Sequence, residues 1–222
     1  MSDIVSDVVV LFDVDNTLLD NDRVQADLSA YLIADYGQDV RDRYFAIYDA
    51  LFKELGYADY LGTVEKLRVE RVHDRRILQM AKWLLEYPYA ERLYPGALEA
   101  VHFAKSWGQR SILSDGDGVF QPRKIDRSGL WSALEGDVLI YVHKEMELDE
   151  IARLYPARHY VMIDDKLRIL DAMKKGWGDK LTTIFVRQGH YALDPKIVAA
   201  YPPADMTIER IGDLPSVHLK LS

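Results

Sequence analysis

The run Val8-Val9-Val10-Leu11-Phe12 is apolar at every position, β-branched at its start, and stops at Asp13. A strand with one wet face alternates apolar and polar residues. A strand without alternation is buried on both faces, as in a parallel sheet covered by helices on each side. Further strand candidates are Arg110–Ser114, Val138–Val142, Tyr160–Ile163, Leu181–Val186 and Met206–Ile208. Helical patterns lie between them. One spans Ala97–Trp107, after Tyr94-Pro95-Gly96 and before Gly108; another spans Leu167–Lys175 and stops at Gly176. Strands alternating with helices need crossover connections, so the expected fold is α/β, a doubly wound (Rossmann-like) parallel sheet.

One stretch breaks the alternation. Between Asn21 and Tyr94 the pattern is helical throughout. Val24, Leu28, Tyr31 and Leu32 share one helical face up to Gly37, and Val40, Tyr44, Ile47, Tyr48, Leu51 and Leu55 repeat likewise up to Gly56. Val64 and Leu67 open a further pattern, and Ile77, Leu78, Ala81, Leu84 and Leu85 form another before Pro88. The spacing predicts an all-helical insert over 21–94, set in a core built from 1–20 and 95–222.

Composition narrows the classes of function. The 222 residues carry 28 Lys and Arg against 36 Asp and Glu, a net charge of −8. That balance argues against a nucleic-acid partner, whose phosphate backbone needs clustered cations. There is no cysteine, which excludes disulfide frameworks and thiol nucleophiles. Met1–Asp7 has two acids and no base, unlike a secretory signal, and no segment reaches the roughly 20 apolar residues of a membrane helix. A cytoplasmic protein without membrane partners is the expectation. The helical stripes leave the oligomeric state open, since they can bury against one another or against a second chain.

The residues able to do chemistry cluster just past the strand runs. The first run leads into Asp13-Val14-Asp15-Asn16-Thr17, the second ends at Ser114-Asp115-Gly116, and the fourth ends at Asp164-Asp165. Lys144 follows the third run. In an open α/β sheet ligands bind beyond the carboxyl ends of the strands, so these groups meet at one rim. Carboxylates there can hold a divalent cation or divide nucleophilic and acid/base work. Ser114 and the N–H groups of the Gly116 turn offer donors to a phosphoryl oxygen.

This order of motifs resembles the haloacid dehalogenase-like superfamily of aspartate-nucleophile phosphohydrolases. The Asp-x-Asp-x-Thr motif is matched by Asp13, Asp15 and Thr17, the strand-end hydroxyl by Ser114, the lysine by Lys144, and the acidic pair by Asp164 and Asp165. Tyr94-Pro95-Gly96-Ala97 matches the lead-in to the second motif, and the helical insert resembles the family's cap domain. The resemblance implies that Asp13 is the nucleophile and forms an aspartyl-phosphate, with Asp15 as general acid and base. It implies Mg²⁺ on Asp13, the Asp15 carbonyl and a carboxylate of the acidic pair, with Asp165 favoured as direct ligand and Asp164 beside it. Thr17, Ser114, Asp115, Gly116 and Lys144 are the implied phosphate-binding group. The family's lysine is usually followed by proline and here Glu145 follows, so Lys124 competes with Lys144 for that role.

The expected activity is Mg²⁺-dependent hydrolysis of a small phosphorylated metabolite. A phosphomutase or phosphotransferase using the same residues is the alternative. A 2-haloacid dehalogenase is disfavoured because that chemistry lacks an acid two residues after the nucleophile, whereas Asp15 is present. A non-enzymatic phospho-accepting module fits less well, since its acidic pair follows the first strand. Several features take structural readings: Gly116 and Gly118 as turn residues, Arg71, Arg75 and Arg76 as a solvated face, and the aromatic stripe Tyr44–Phe52 as packing within the insert. His143, beside Lys144, is the one histidine near the expected rim.

Overall fold

The computed structural model describes residues 6–219; residues 1–5 and 220–222, which the expected boundaries and the N-terminal reading include, lie outside the described residues. Each expected strand is present: β1 (Ser6–Phe12), β2 (Gln109–Asp115), β3 (Val138–Tyr141), β4 (Ala157–Asp164), β5 (Leu181–Val186) and β6 (Met206–Ile208). They form one parallel sheet in the order β3-β2-β1-β4-β5-β6. No helix among the described residues is long and apolar enough to cross a membrane.

The stretch between β1 and β2 is helical, with α1 (Asn21–Tyr36), α2 (Gln38–Leu55), α3 (Tyr60–Glu70) and α4 (Ile77–Glu86). Local chemistry marks the ends. The Asp20 carboxylate accepts from the Arg23 N–H at the start of α1, and Asp59 does the same for Gly62 at the start of α3. Gly37 separates α1 from α2, and Gly56 ends α2 at φ 81°, in the left-handed region. The chain leaves the sheet and returns through paired backbone. Asp20 N–H donates to the Arg92 carbonyl at 2.8 Å, and Tyr94 N–H donates to the Leu18 carbonyl at 2.9 Å. Tyr44, Tyr60, Leu67, Met80 and Leu84 are buried among these helices.

The remaining helices are α5 (Ala97–Phe103), α6 (Phe120–Ser128), α7 (Leu130–Ala133), α8 (Leu148–Leu154), α9 (Leu167–Trp177), α10 (Gly189–Leu193) and α11 (Pro195–Val198). Alternate residues of β1 serve opposite layers. Val8, Val10 and Phe12 join Ile112, Val161 and Ile163 in the core that takes in α5, α6 and α7. Val9 and Leu11 join Tyr160 and Met162 in the core under α8, α9 and α10. This two-sided burial is why the run shows no polar alternation.

Two helices differ from expectation at their ends. The Ala97–Trp107 pattern forms α5 only to Phe103 and continues as a 3-10 turn over Ala104–Ser106. There Gly108 approaches β1 so closely that a Cβ would lie 2.1 Å from the Val8 carbonyl oxygen. Helix α9 runs through Gly176 to Trp177 and ends at Gly178, not at Gly176. Gly176 is kept in the helix by packing, since a Cβ would lie 2.2 Å from a methyl of Leu148.

Gly96 sits at φ 82°, and a Cβ there would lie 2.6 Å from the Gly212 Cα in the C-terminal 3-10 segment that packs on α5. Gly96→Ala is expected to cost about 2 kcal/mol or more, from left-handed strain plus the backbone collision. A lower urea midpoint with an unchanged m-value checks this; an unchanged midpoint contradicts it.

Candidate active site

Parallel register sets the rim. Phe12, the last residue of β1, pairs with Ile112 of β2 and Ile163 of β4, so the residues that follow leave the sheet side by side. The Asp13 N–H still donates to the Ile163 carbonyl at 3.0 Å, which fixes Asp13 against the end of β4. The strand order reverses between β1 and β4, the position at which open α/β sheets leave a crevice.

The centre of the rim is a buried charge cluster. Lys144, at the start of a 3-10 turn after β3, places its Nζ 2.5 Å from Asp13 Oδ1, 2.7 Å from Asp164 Oδ2 and 3.1 Å from the Leu113 carbonyl. Burial works against the ammonium, but the carboxylates of Asp13, Asp164 and Asp115 outweigh it and hold Lys144 above a lysine's ordinary pKa. Lys144, not Lys124, is therefore the lysine at Asp13. Thr17 donates its hydroxyl to Asp13 Oδ2 at 3.2 Å and accepts from the Asp165 N–H at 3.0 Å. Its only O–H is committed to the carboxylate, so Thr17 orients Asp13 and is not placed as the phosphate donor expected of it.

One oxygen from each of Asp13, Asp164 and Asp165 lies within 4.8 Å of the others, all three residues being buried. Both Asp165 oxygens lack a hydrogen-bond partner among the described residues. Burial drives the Asp165 carboxyl well above the usual carboxylate range, and burial likewise pushes Asp164 up, to about 6. Buried carboxylates left without donors suit a divalent cation with oxygen ligands. The residues therefore fit the implied metal. Asp15 can enter that set only through its carbonyl, because its carboxylate points to another partner.

That partner is Lys124. Its Nζ lies 2.6 and 2.7 Å from the two Asp15 carboxylate oxygens. Gln121, one turn earlier on α6, donates from Nε2 to Ser114 Oγ at 2.9 Å and to Asp15 Oδ2 at 3.3 Å. The Ser114 O–H has only a long 3.4 Å contact to the Asp115 carbonyl, so it is the free donor at the end of β2. Asp115 and Gly116 take structural roles instead. Asp115 Oδ1 accepts from the Lys144 N–H at 2.8 Å, and the Gly116 N–H donates to the Tyr141 carbonyl at 2.9 Å. The expected phosphate contact of the Gly116 N–H is thus already spent. Glycine is needed at 116 for space, since a Cβ would lie 2.8 Å from Gln121 Cβ.

The turn after Asp15 ties the rim to its neighbours. Asn16 adopts φ 62°, and its Oδ1 accepts from the N–H groups of Asn21 and Asp22 in the first turn of α1. Asp117 accepts from the N–H groups of Val119 and Phe120 at the start of α6. His143 lies against Gly56 of the insert, where a Cβ would come within 2.6 Å of its ring. Arg71 and Arg76 pair with Asp39 and Asp74 on the exposed face of the insert.

Sequence reading missed Gln121 and weighed Lys124 only as a competitor for the lysine at Asp13, not as the partner of Asp15. A signal was present: Phe120, Lys124, Ile125 and Ser128 recur at helical spacing, which puts a lysine on the apolar face of α6. It also passed over Lys166. Burial opposes the Lys166 ammonium, but Asp165, Asp13 and Asp164 hold its pKa above the ordinary value. Its Nζ stands 5.1 Å from the centre of the Tyr191 ring.

No curated protein matches the sequence. Among solved structures, a haloacid dehalogenase-like hydrolase from Burkholderia xenovorans is 58% identical, with TM-score 0.91, covering 96% of this chain and 99% of that one. The HAD-hydrolase YfnB from Bacillus subtilis, bound to magnesium, aligns with TM-score 0.62 at 18% identity, covering 93% and 96%. L-2-haloacid dehalogenase from Xanthobacter autotrophicus, with chloropropionic acid covalently bound, aligns with TM-score 0.61 at 19% identity, covering 94% and 96%. These last two show likeness of fold. The family profile of haloacid dehalogenase-like hydrolases matches residues 8–176, a span that holds every charged group of the rim from Asp13 to Lys166, and the chain belongs to that family.

Proposed function

We propose that this hydrolase cleaves phosphomonoesters of small metabolites with Mg²⁺ at the carboxylate cluster. The observation that carries the reading is the second carboxylate, Asp15, held outside the three-carboxylate group and beside the free Ser114 hydroxyl. A halide leaves without a proton and needs no acid; an alkoxide leaving from phosphorus does. The donor-poor Asp165 supports the Mg²⁺ part of the reading, because Lys144 and Lys166 face three carboxylates and leave little positive charge for a phosphate dianion.

In this reading Asp15 carries a proton when substrate is bound: an Asp13 oxygen attacks phosphorus, the ester P–O bond breaks, and the departing oxygen takes that proton. Water then attacks the aspartyl-phosphate and gives a proton to Asp15; inorganic phosphate leaves and Asp13 is regenerated. Lys144 sets positive charge against Asp13, Thr17 orients it, and Ser114 holds a phosphoryl oxygen. Asp13, Asp165, Asp164 and the Asp15 carbonyl would hold Mg²⁺, which would offset the negative charge of nucleophile and phosphate. Residues 21–94 serve as the cap that covers the site and selects the leaving group.

The first test is phosphate release from 4-nitrophenyl phosphate with and without Mg²⁺. Asp13→Ala is expected to lower metal-dependent kcat by about 10⁴-fold or more, as loss of a nucleophile does. Asp15→Asn is expected to lower it by about 10²- to 10⁴-fold. Turnover surviving in Asp13→Ala would remove the nucleophile, and an isomer in place of free phosphate from a sugar phosphate would mean a phosphomutase.

Metal affinity is expected to depend on pH. Burial raises the folded-state pKa of Asp164 and Asp165, so in metal-free protein their contribution to stability is present below the unfolded carboxylate value of about 4. For Asp164 it is lost as pH rises through about 6, and for Asp165, also raised by burial, it is lost as that carboxyl ionises. Mg²⁺ requires the ionised forms, so the rise in Tm on adding Mg²⁺ should be larger at pH 8 than at pH 5.5. Equal shifts at both pH values would count against this metal site.

A further inference from the structure

The site contains two buried lysines, and the mechanism above uses one. We propose that Lys124, assisted by Gln121, is the positioning residue for Asp15, as Lys144 is for Asp13; the proposal rests on the assignment of proton transfer to Asp15. Lys124 is 1% exposed, and its Nζ meets both oxygens of Asp15 at nearly equal distances, 2.6 and 2.7 Å. Its other polar contact is a long one, 3.5 Å to Asn21 Oδ1 in the first turn of α1. A buried ammonium is held only where a counter-charge meets it. Contact through both oxygens fixes the rotation of the carboxylate as well as its place.

Gln121 adds a second restraint from the same helix. Three residues before Lys124, it lies on the same face of α6 and joins Asp15 Oδ2 to Ser114 Oγ. Helix α6 thus braces the proton-transfer group and the phosphate anchor against one rigid element of the core. The brace also reaches the insert. The Phe120 ring packs 5.0 Å from that of Tyr60, and Lys124 Nζ stands 5.8 Å from the Phe120 ring centre. Lys124 has no contact with Asp13, whose lysine is Lys144. The two carboxylates are therefore held independently.

A group that must deliver a proton to a leaving oxygen is sensitive to small displacements, which cost about 10²-fold in rate. The test compares kcat/KM for phenyl phosphate and 4-nitrophenyl phosphate, two esters of similar size. Nitrophenolate leaves without a proton, and phenoxide gains from one. In Lys124→Met, kcat/KM for phenyl phosphate should fall about 10²-fold, with a loss for the nitrophenyl ester at least about tenfold smaller. Lys124→Arg should restore much of the phenyl phosphate activity. Equal losses on both esters, or no loss, would overturn the proposal.

Crystal structures of the wild type and Lys124→Met give a readout independent of turnover. The Asp15 carboxylate should turn away from the Ser114 side in the variant; an unchanged orientation would overturn positioning. Wild-type protein inert toward both esters would instead strike the phosphatase reading, and the Asp15 orientation would then decide the role of Lys124 alone. If Lys124→Met does not fold, Lys124→Gln is measured in the same ways, with a melting curve to establish that it is folded.

Discussion

The molecule is organised around a concentration of buried negative charge at the ends of β1 and β4. Asp13 is 3% exposed, and Asp164 and Asp165 are fully buried. Three carboxylates packed so closely repel one another and have lost their water, so the fold holds them only with cations supplied in place. Lys144 is the one bonded to Asp13, from a turn 131 residues beyond it, and Lys166 adds charge beside Asp165. The Lys144 backbone is fixed in turn by Asp115, whose carboxylate accepts the Lys144 N–H. The deficit at Asp165 is what makes the cluster a place for a metal.

The sheet meets this constraint with little freedom to spare. The register that places Phe12 beside both Ile112 and Ile163 also places the residues after them at a common edge. A one-residue slip in either ladder would turn the apolar side chains of β1 to the wrong layers and move Asp13 away from β4. Close approaches support the register from outside the site: Gly108 admits the Val8 carbonyl, and Gly96 admits Gly212. Helix α6 does comparable work for Asp15, through a face that carries Gln121 and Lys124.

Most of the fold was legible because burial leaves a mark on composition. A strand covered on both faces has no polar positions, and β1 shows that pattern from Val8 to Phe12. The helical insert was legible through its 3.6-residue period and the glycines at 37 and 56. Helix ends were less so. The pattern through Ala97–Trp107 continues as a 3-10 turn where Gly108 must pass close under β1, and nothing local to the helix announces that contact.

The rim divides differently. The sequence by itself determined which residue types stand after each strand, hence the set Asp13, Asp15, Ser114, Lys144, Asp164 and Asp165, because strand ends and motif order are properties of the linear chain. Which lysine serves which carboxylate was decided only by tertiary structure. Lys124 and Lys144 both lie between Ser114 and Asp164, and only the packing of α6 and the turn after β3 sends one to Asp15 and the other to Asp13. The same holds for Thr17 and Gly116, whose hydrogen-bonding groups were free in the sequence and are spent in the fold. A hydrogen bond is a relation between two atoms, and its second partner here comes from a distant segment whose approach no local pattern encodes.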